Sequence, residues 1–355
     1  MTLLKKLNKY SGTHAKVKVM YRNLLKEQDY QDLLAKNTVV DVAAYLKNNT
    51  NYKTVLSSLT ESNIHRGQLE KLLHTSMEQE FVRLISFLPA NEKRFMRIYI
   101  LCNEIELLKI MLRELESGTL HEFNPEINPY YLKHFKIEPQ KLIESKNRHQ
   151  FIENLKGTPY YLILSQFLTD DEYLDIFKIE MALDVYYFKQ AWHAAKKLLE
   201  KHEGKLVSST LGNETDMLNI MWILRSKRYF NVPNEIIYSF LLPMHYRIKK
   251  EKLIEIVESP TYEAAIQAIS TTKYGDVFKD DNQYIEQHYL SEVTSMMHKQ
   301  KVYNPFSIMS VLVYIHIKQI ELQNIIKIIE GIRYNVDKSE IEKYLIRVEG
   351  ERVGS

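Results

Sequence analysis

Glycine, proline and cysteine are all scarce in this chain. Ten glycines and nine prolines among 355 residues leave few positions for left-handed turns or helix breaks, against a usual glycine share of about 7%. The single cysteine, Cys102, excludes an internal disulfide and any Cys-x-x-Cys metal site. Its neighbours Ile98, Tyr99, Ile100 and Leu101 point to a buried structural thiol rather than a nucleophile. Long apolar runs are missing too. The longest charge-poor stretch, Val302 to Ile317, has 16 residues, whereas a membrane-spanning helix needs about 20. Lys5, Lys6 and Lys9 are followed by no apolar run, so the opening does not read as a signal peptide. The expectation is a soluble chain that, if it works at a membrane, sits on it.

Charge of one sign is also lacking. A formal net charge of +3 is too small to argue for nucleic acid. Its distribution is uneven: residues 1–119 carry 18 basic and 13 acidic side chains, and seven of the basic ones precede Glu27 with no acid among them. Those seven are Lys5, Lys6, Lys9, Lys16, Lys18, Arg22 and Lys26. Leu3, Leu4, Leu7, Val17, Met20, Tyr21, Leu24 and Leu25 lie between them in a partly amphipathic pattern. Two readings follow. The segment is either a helix docked by its apolar side with its lysines in water, or a positive face for acidic lipid headgroups or acidic protein loops.

The motifs of common enzymes are absent. There is no Gly-x-x-x-x-Gly-Lys, no Gly-x-Gly, no Gly-x-Ser-x-Gly and no His-Glu-x-x-His. The twelve histidines show no ligand spacing, and His193 and His202, with lysines between them, read as a solvated helix face. No catalytic, cofactor-binding or metal-ligating residue is assigned, and no small-molecule substrate. One cluster imitates chemistry: Asp170, Asp171, Glu172 and Asp175 resemble the acidic motif with which all-helical isoprenoid synthases hold magnesium. Such an enzyme needs a second acidic cluster on a facing helix, and Asp280-Asp281 with Glu286 is a poor candidate. Acids in the first turn after a cap at Thr169, where the helix dipole is positive, explain the cluster better.

What the chain has is helix-forming sequence: 45% hydrophobic residues, rich in Leu and Ile, with Glu and Lys plentiful. Ile98, Leu101, Ile105, Leu108, Leu112 and Leu115 step by three and four, as a buried helical stripe does. Ile179, Leu183, Tyr187, Ala191, Ala194 and Leu198 form a second stripe, and Ile308, Leu312, Ile315, Leu322, Ile326 and Ile329 a third. No run alternates as a strand would. The class is all-α. Ser259-Pro260 reads as a helix cap followed by proline at the first position.

The chain also repeats itself. Thr-x-Tyr occurs at Thr50-Asn51-Tyr52, Thr158-Pro159-Tyr160 and Thr272-Lys273-Tyr274, each after a short helical pattern. Glu106, Asp216 and Glu321 occupy similar contexts, followed three residues later by Lys109, Asn219 and Asn324. These could be i, i+3 pairs, helix-register devices or caps on a neighbouring turn. Glu78, Glu180 and Glu286 open a long helix in each copy, and Leu33-Leu34, Leu142-Ile143 and Leu253-Ile254 precede each Thr-x-Tyr. Four landmarks in a common phase of roughly 110 residues argue for triplication, with units at 1–119, 120–230 and 231–355.

Together these residues resemble the C subunit of the archaeal and bacterial V/A-type ATPases, the counterpart of the d subunit in eukaryotic vacuolar ATPases. The most telling parts are the opening from Ala15 to Leu25, the three Thr-x-Tyr units and the closing run from Glu321 to Gly331, where Gly331 is a natural helix end. The resemblance implies a non-catalytic, funnel-shaped body of three pseudo-symmetric helical domains on the cytoplasmic face of the membrane. It also implies partners: the proteolipid (c/K) ring, the D and F subunits of the central stalk and, as a further neighbour, the membrane stator subunit. Proton or sodium transport would then be linked to ATP synthesis or hydrolysis. The competing reading is a helical-repeat scaffold for other proteins, although solenoid repeats run only about 20–50 residues.

Overall fold

The computed structural model describes residues 3–57, 66–168, 176–230, 232–278 and 285–347, and every regular element among them is helical. The acidic run Asp170, Asp171, Glu172 and Asp175, the cap Thr169 and the pair Asp280-Asp281 lie outside the described residues. The chain forms two compact units, one from Met1–Ala90 with Val277–Ser355 and the other from Asn91–Asp276.

The first unit contains α1 (Leu3–Tyr21), α2 (Glu27–Leu34), α3 (Val39–Asn49) and α4 (Arg66–Ile85). The second contains almost all of α5 (Ala90–Ser117), then α6 (Pro129–Leu132), α7 (Pro139–Ile143), α8 (Arg148–Glu153) and α9 (Pro159–Leu164). It continues with α10 (Ile176–Leu198), α11 (Lys201–Arg225), α12 (Asn234–Phe240), α13 (Lys250–Glu258) and α14 (Tyr262–Ser270). The chain then returns to the first unit as α15 (Ile285–Tyr303), α16 (Met309–Arg333) and α17 (Lys338–Tyr344).

Within the first unit α16 is the axis, packed by α1, α3, α4, α15 and α17. Val313, Ile317, Ile320, Ile325 and Ile328 bury different sides of it, which is what a helix apolar around most of its circumference requires. Its end differs from the sequence reading. Gly331 lies inside the last turn, and the left-handed residue is Asn335 at φ 52°. There the Val336 N–H donates to the Gly331 carbonyl at 2.9 Å and the Asn335 N–H to Ile332 at 3.1 Å, the two bonds of a Schellman cap. Gly331 serves packing instead: a Cβ there would meet the Ile341 Cδ1 at 2.4 Å, so its absence seats α17.

In the second unit Ile105, Leu108, Met111 and Leu112 of α5 form a core with Phe151, Ile152, Tyr160, Leu164, Ile179 and Leu183. Proline starts three of its short helices, α6, α7 and α9, where the missing N–H costs no hydrogen bond. Helix α14 starts after Thr261, whose side chain accepts from the Ala264 N–H, so Ser259-Pro260 is not its cap. Ser259 ends α13 and donates to the Glu255 carbonyl at 2.9 Å. Glu286 falls in the first turn of α15, but Glu180 lies past the first turn of α10 and Glu78 in the middle of α4, so that landmark does not hold.

Candidate functional site

The conspicuous chemistry of the fold is a set of buried carboxylates on long helices, each closed over by a Thr-x-Tyr tyrosine. Glu104 on α5, 2% exposed, accepts the Tyr160 hydroxyl at 2.9 Å through Oε2. Its Oε1 accepts the N–H groups of Ile137, at 2.8 Å, and Lys136. Burial raises the Glu104 pKa, and the bonds from Ile137, Lys136 and Tyr160 counter that rise without cancelling it. In the same unit Asp216 on α11 accepts the Tyr246 N–H at 3.1 Å through Oδ1. Its Oδ2 takes the Arg247 N–H at 2.6 Å, the Ile248 N–H at 3.1 Å and the Tyr274 hydroxyl at 3.1 Å. In the first unit Glu321 on α16 accepts the Tyr52 hydroxyl at 2.8 Å and the Leu25 N–H at 2.5 Å.

Each clasp captures a helix, a tyrosine and the backbone of a loop in one carboxylate. The loop N–H groups would otherwise be unsatisfied beside apolar surface, and a charged acceptor answers them more strongly than a neutral one. All three tyrosines are held well above the ordinary phenol range, first by burial and then by the neighbouring carboxylate. Local chemistry presents them. Thr50 and Thr272 each accept the N–H of the tyrosine two residues on, at 3.2 Å, and donate back to the preceding helix. Thr158 donates back to Leu155, and Pro159 opens α9.

A second layer follows three residues after two of the acids. Asn219 donates to the Leu242 carbonyl at 3.0 Å and accepts the Leu242 N–H at 2.8 Å. Asn324 makes the same pair with Ile346, at 2.9 Å each way. Such two-way bonding mimics one rung of a sheet and fixes the captured strand of backbone in direction as well as place. At Asn219 and Asn324 the side chain therefore caps a neighbouring segment, as one of the readings of these positions expects.

The first copy differs, and here the sequence alignment is two residues out of register. Glu104, not Glu106, is the counterpart of Asp216 and Glu321. Glu106 is exposed and pairs with Lys109 at 2.9 Å. Lys109 reaches Asp184 of α10 at 2.6 Å, and the two carboxylates hold its pKa up although burial opposes them. Sequence could not separate the two acids, because Glu104 has Ile100 and Leu108 four residues away and Glu106 has Cys102 and Ile110. Packing decides: Leu108 is fully buried and Ile110 is 38% exposed.

The third clasp carries the most charge. Lys318, 4% exposed, donates to Glu321 at 2.8 Å and lies 3.6 Å from Glu80 of α4. Its ammonium also stands 4.4 Å above the Tyr52 ring. Tyr314 donates to Glu80 as well. Burial works against a charged Lys318, and Glu321 and Glu80 outweigh it, so the lysine stays cationic. A buried triad of this kind is weak evidence for stability, but removing one partner leaves the others as uncompensated buried charge. Cys102 is only partly buried by area, yet desolvation pushes its thiol up to about 12, so it is no nucleophile at neutral pH.

Three buried carboxylates of long helices thus each tie a loop and a tyrosine onto the helix that carries them. The chain belongs to the ATP synthase (C/AC39) subunit family, whose model matches residues 13–344. It is similar to the C subunit of the A-type ATP synthase of Pyrococcus horikoshii, 26% identical over 353 residues that cover 95% of this chain and 90% of that protein. The corresponding C subunits of Methanosphaera stadtmanae and Archaeoglobus fulgidus are each 23% identical. The first match covers 95% of this chain and 88% of the relative, and the second 98% and 99%. The protein is accordingly a non-catalytic subunit of a rotary ATPase. Among the described residues no helix is long and apolar enough to cross a membrane.

Proposed function

We propose that this protein is the collar that seats the central stalk on the proteolipid ring, turning with the ring and passing torque toward the ATP-handling head. Its partners on this reading are the c/K ring and the D and F subunits of the stalk, with the membrane stator subunit as a further neighbour. It lies on the cytoplasmic face of the membrane, in a funnel of three related domains near 1–119, 120–230 and 231–355. Ion flow, of protons or sodium, is thereby linked to ATP synthesis or hydrolysis.

The observation that carries the reading is the recurrence of the clasp in a chain that belongs, over nearly its whole length, to this family. A torque coupler needs no reacting groups, but its loops must not shear from its helices under load. Packed interiors resist compression, and a hydrogen bond to a charged acceptor adds about 1.5–3 kcal/mol against sliding. Three clasps, each with at least two such bonds, suit that demand. The test is an affinity pull-down in mild detergent from cells in which this chain is tagged. Proteolipid and stalk subunits should come along together. Recovery of the stalk without the ring, or of neither, would sink the collar reading.

A further inference from the structure

The acid-free opening segment gains a meaning in the fold that its sequence alone did not give it. Two other stretches of the first unit, residues 81–90 and 293–320, also contain neither Asp nor Glu, and both pack against α1. The Thr13 hydroxyl donates to the Phe87 carbonyl at 2.8 Å, and the Lys16 ammonium stands 5.7 Å over the Phe87 ring. On the other side the His14 ring lies 4.8 Å from Phe306, and the Lys301 ammonium 3.7 Å over the Tyr21 ring. Three acid-free segments thus meet along one helix.

What they expose is mixed. Helix α1 buries Tyr10, Thr13, Val17 and Met20 and turns Lys18 and Val19 outward, and Arg22, just past its end, is exposed as well. Arg83 and Lys299 are exposed on the flanking segments, as are Phe87, 48% exposed, Val302, 58%, and Tyr303, 81%. Lys318, the remaining cation of these stretches, is turned inward to Glu321 and Glu80. The half-buried His14 registers the local field: its pKa is lowered first by desolvation and then by Lys18, with Lys301 adding to the effect against a bond to Pro305.

We infer that this face, built from α1 with Arg22, the end of α4 with the turn after it (83–88) and the 299–303 end of α15, is a docking surface for anionic phospholipid headgroups. Cations draw such a surface electrostatically, and single aromatic and aliphatic side chains set between them suit the headgroup level of a bilayer. The apolar residues come one or two at a time from three separate segments, with charges between them. That spacing fits laterally mobile headgroups better than the fixed rim of a folded partner. The inference deepens the collar reading by naming what this face meets, and its test is independent of the other subunits.

The experiment measures partition of the full chain onto phosphatidylcholine vesicles with and without phosphatidylglycerol. Binding is expected only with the anionic lipid and should weaken as salt rises. Neutralising Lys16, Lys18, Arg22 and Lys299 to Gln should lower the partition coefficient about five-fold per residue at low salt, the fold-change equivalent of about 1 kcal/mol for each charge. Changing Val302 and Tyr303 to Ser should weaken binding while leaving the salt slope as it was. The control changes four exposed lysines of the other unit, Lys146, Lys205, Lys249 and Lys250, to Gln, and should retain most of the binding. Circular dichroism checks that each variant is folded. Absence of binding to the anionic vesicles overturns the inference, and so does equal loss in test and control variants. Binding of this face to an acidic protein ring with no partition onto vesicles overturns it too. A vesicle result of either kind leaves the pull-down to judge the collar itself.

Discussion

The Tyr52 hydroxyl donates to Glu321 across 269 residues of sequence, at 2.8 Å. That single bond joins the first Thr-x-Tyr to the last long helix. The other two clasps link Tyr160 to Glu104 and Tyr274 to Asp216. The first clasp thus ties the two ends of the Met1–Ala90 and Val277–Ser355 unit together, and the other two lie within Asn91–Asp276.

Replacing Tyr52 by Phe should cost about 1.5–3 kcal/mol, the worth of a hydrogen bond to a charged group. Replacing Glu321 by Ala should cost more, about 3–5 kcal/mol, because Lys318 loses its nearest counter-charge and stays buried. Amide hydrogen exchange reads this locally. The Leu25 N–H should keep most of its protection in the Phe variant and lose it in the Ala variant. Equal protection in both would remove Glu321 from its role as loop anchor.

Gly212 lies on α11 under the Asp216 clasp, and a Cβ there would stand 2.4 Å from Tyr246 Cγ and 2.7 Å from Tyr246 Cβ. Contact with Cβ means the loop backbone must move, not only a ring. Gly212→Ala should therefore destabilise the second unit by about 1–3 kcal/mol. Tyr246→Ala should absorb part of that cost in the double variant, giving a coupling energy of about 0.5–3 kcal/mol. Both tryptophans, Trp192 and Trp222, belong to this unit, so the fluorescence-detected urea transition follows it directly. Strict additivity would show that the steric collision is relieved elsewhere.

The two units should respond to pH with opposite sign. In the second, burial pushes Glu214 up to about 7 from 4.5. A raised carboxyl makes the fold bind more protons than the unfolded chain, so this contribution is lost as pH rises from about 4.5 to about 7. Glu214→Gln should stabilise that unit at pH 8 by on the order of 2 kcal/mol and change little at pH 4. Tryptophan fluorescence in urea at both values decides, and a stabilisation independent of pH would contradict the assignment.

In the first unit, burial lowers His316 to about 4 from 6.5, and its Nε2 lies 2.9 Å from the Thr294 hydroxyl. Here the unfolded chain binds the extra proton, so stability is lost as pH falls from about 6.5 to about 4. Exchange protection of α15 and α16 amides should drop across that window, after correction for intrinsic rates. His316→Gln should flatten the drop.

Composition and periodicity alone determined that this chain is helical and which faces of its long helices are apolar. Those are local properties, since a stripe at steps of three and four can be satisfied only by a helix with that face covered. The Thr-x-Tyr turns were legible for the same reason, because their first hydroxyl bonds its own neighbours. Which acid each tyrosine would find was not. Glu104 and Glu106 stand in equally apolar sequence, and only the packing of α5 buries one and exposes the other. The cap at Asn335 and the packing role of Gly331 likewise depend on where α17 returns. The same holds for the basic opening, whose sequence showed one acid-free helix. That two more acid-free stretches lie against it is a fact of tertiary structure, because segments some 280 residues apart share a field only once folding has brought them within a Debye length of about 10 Å.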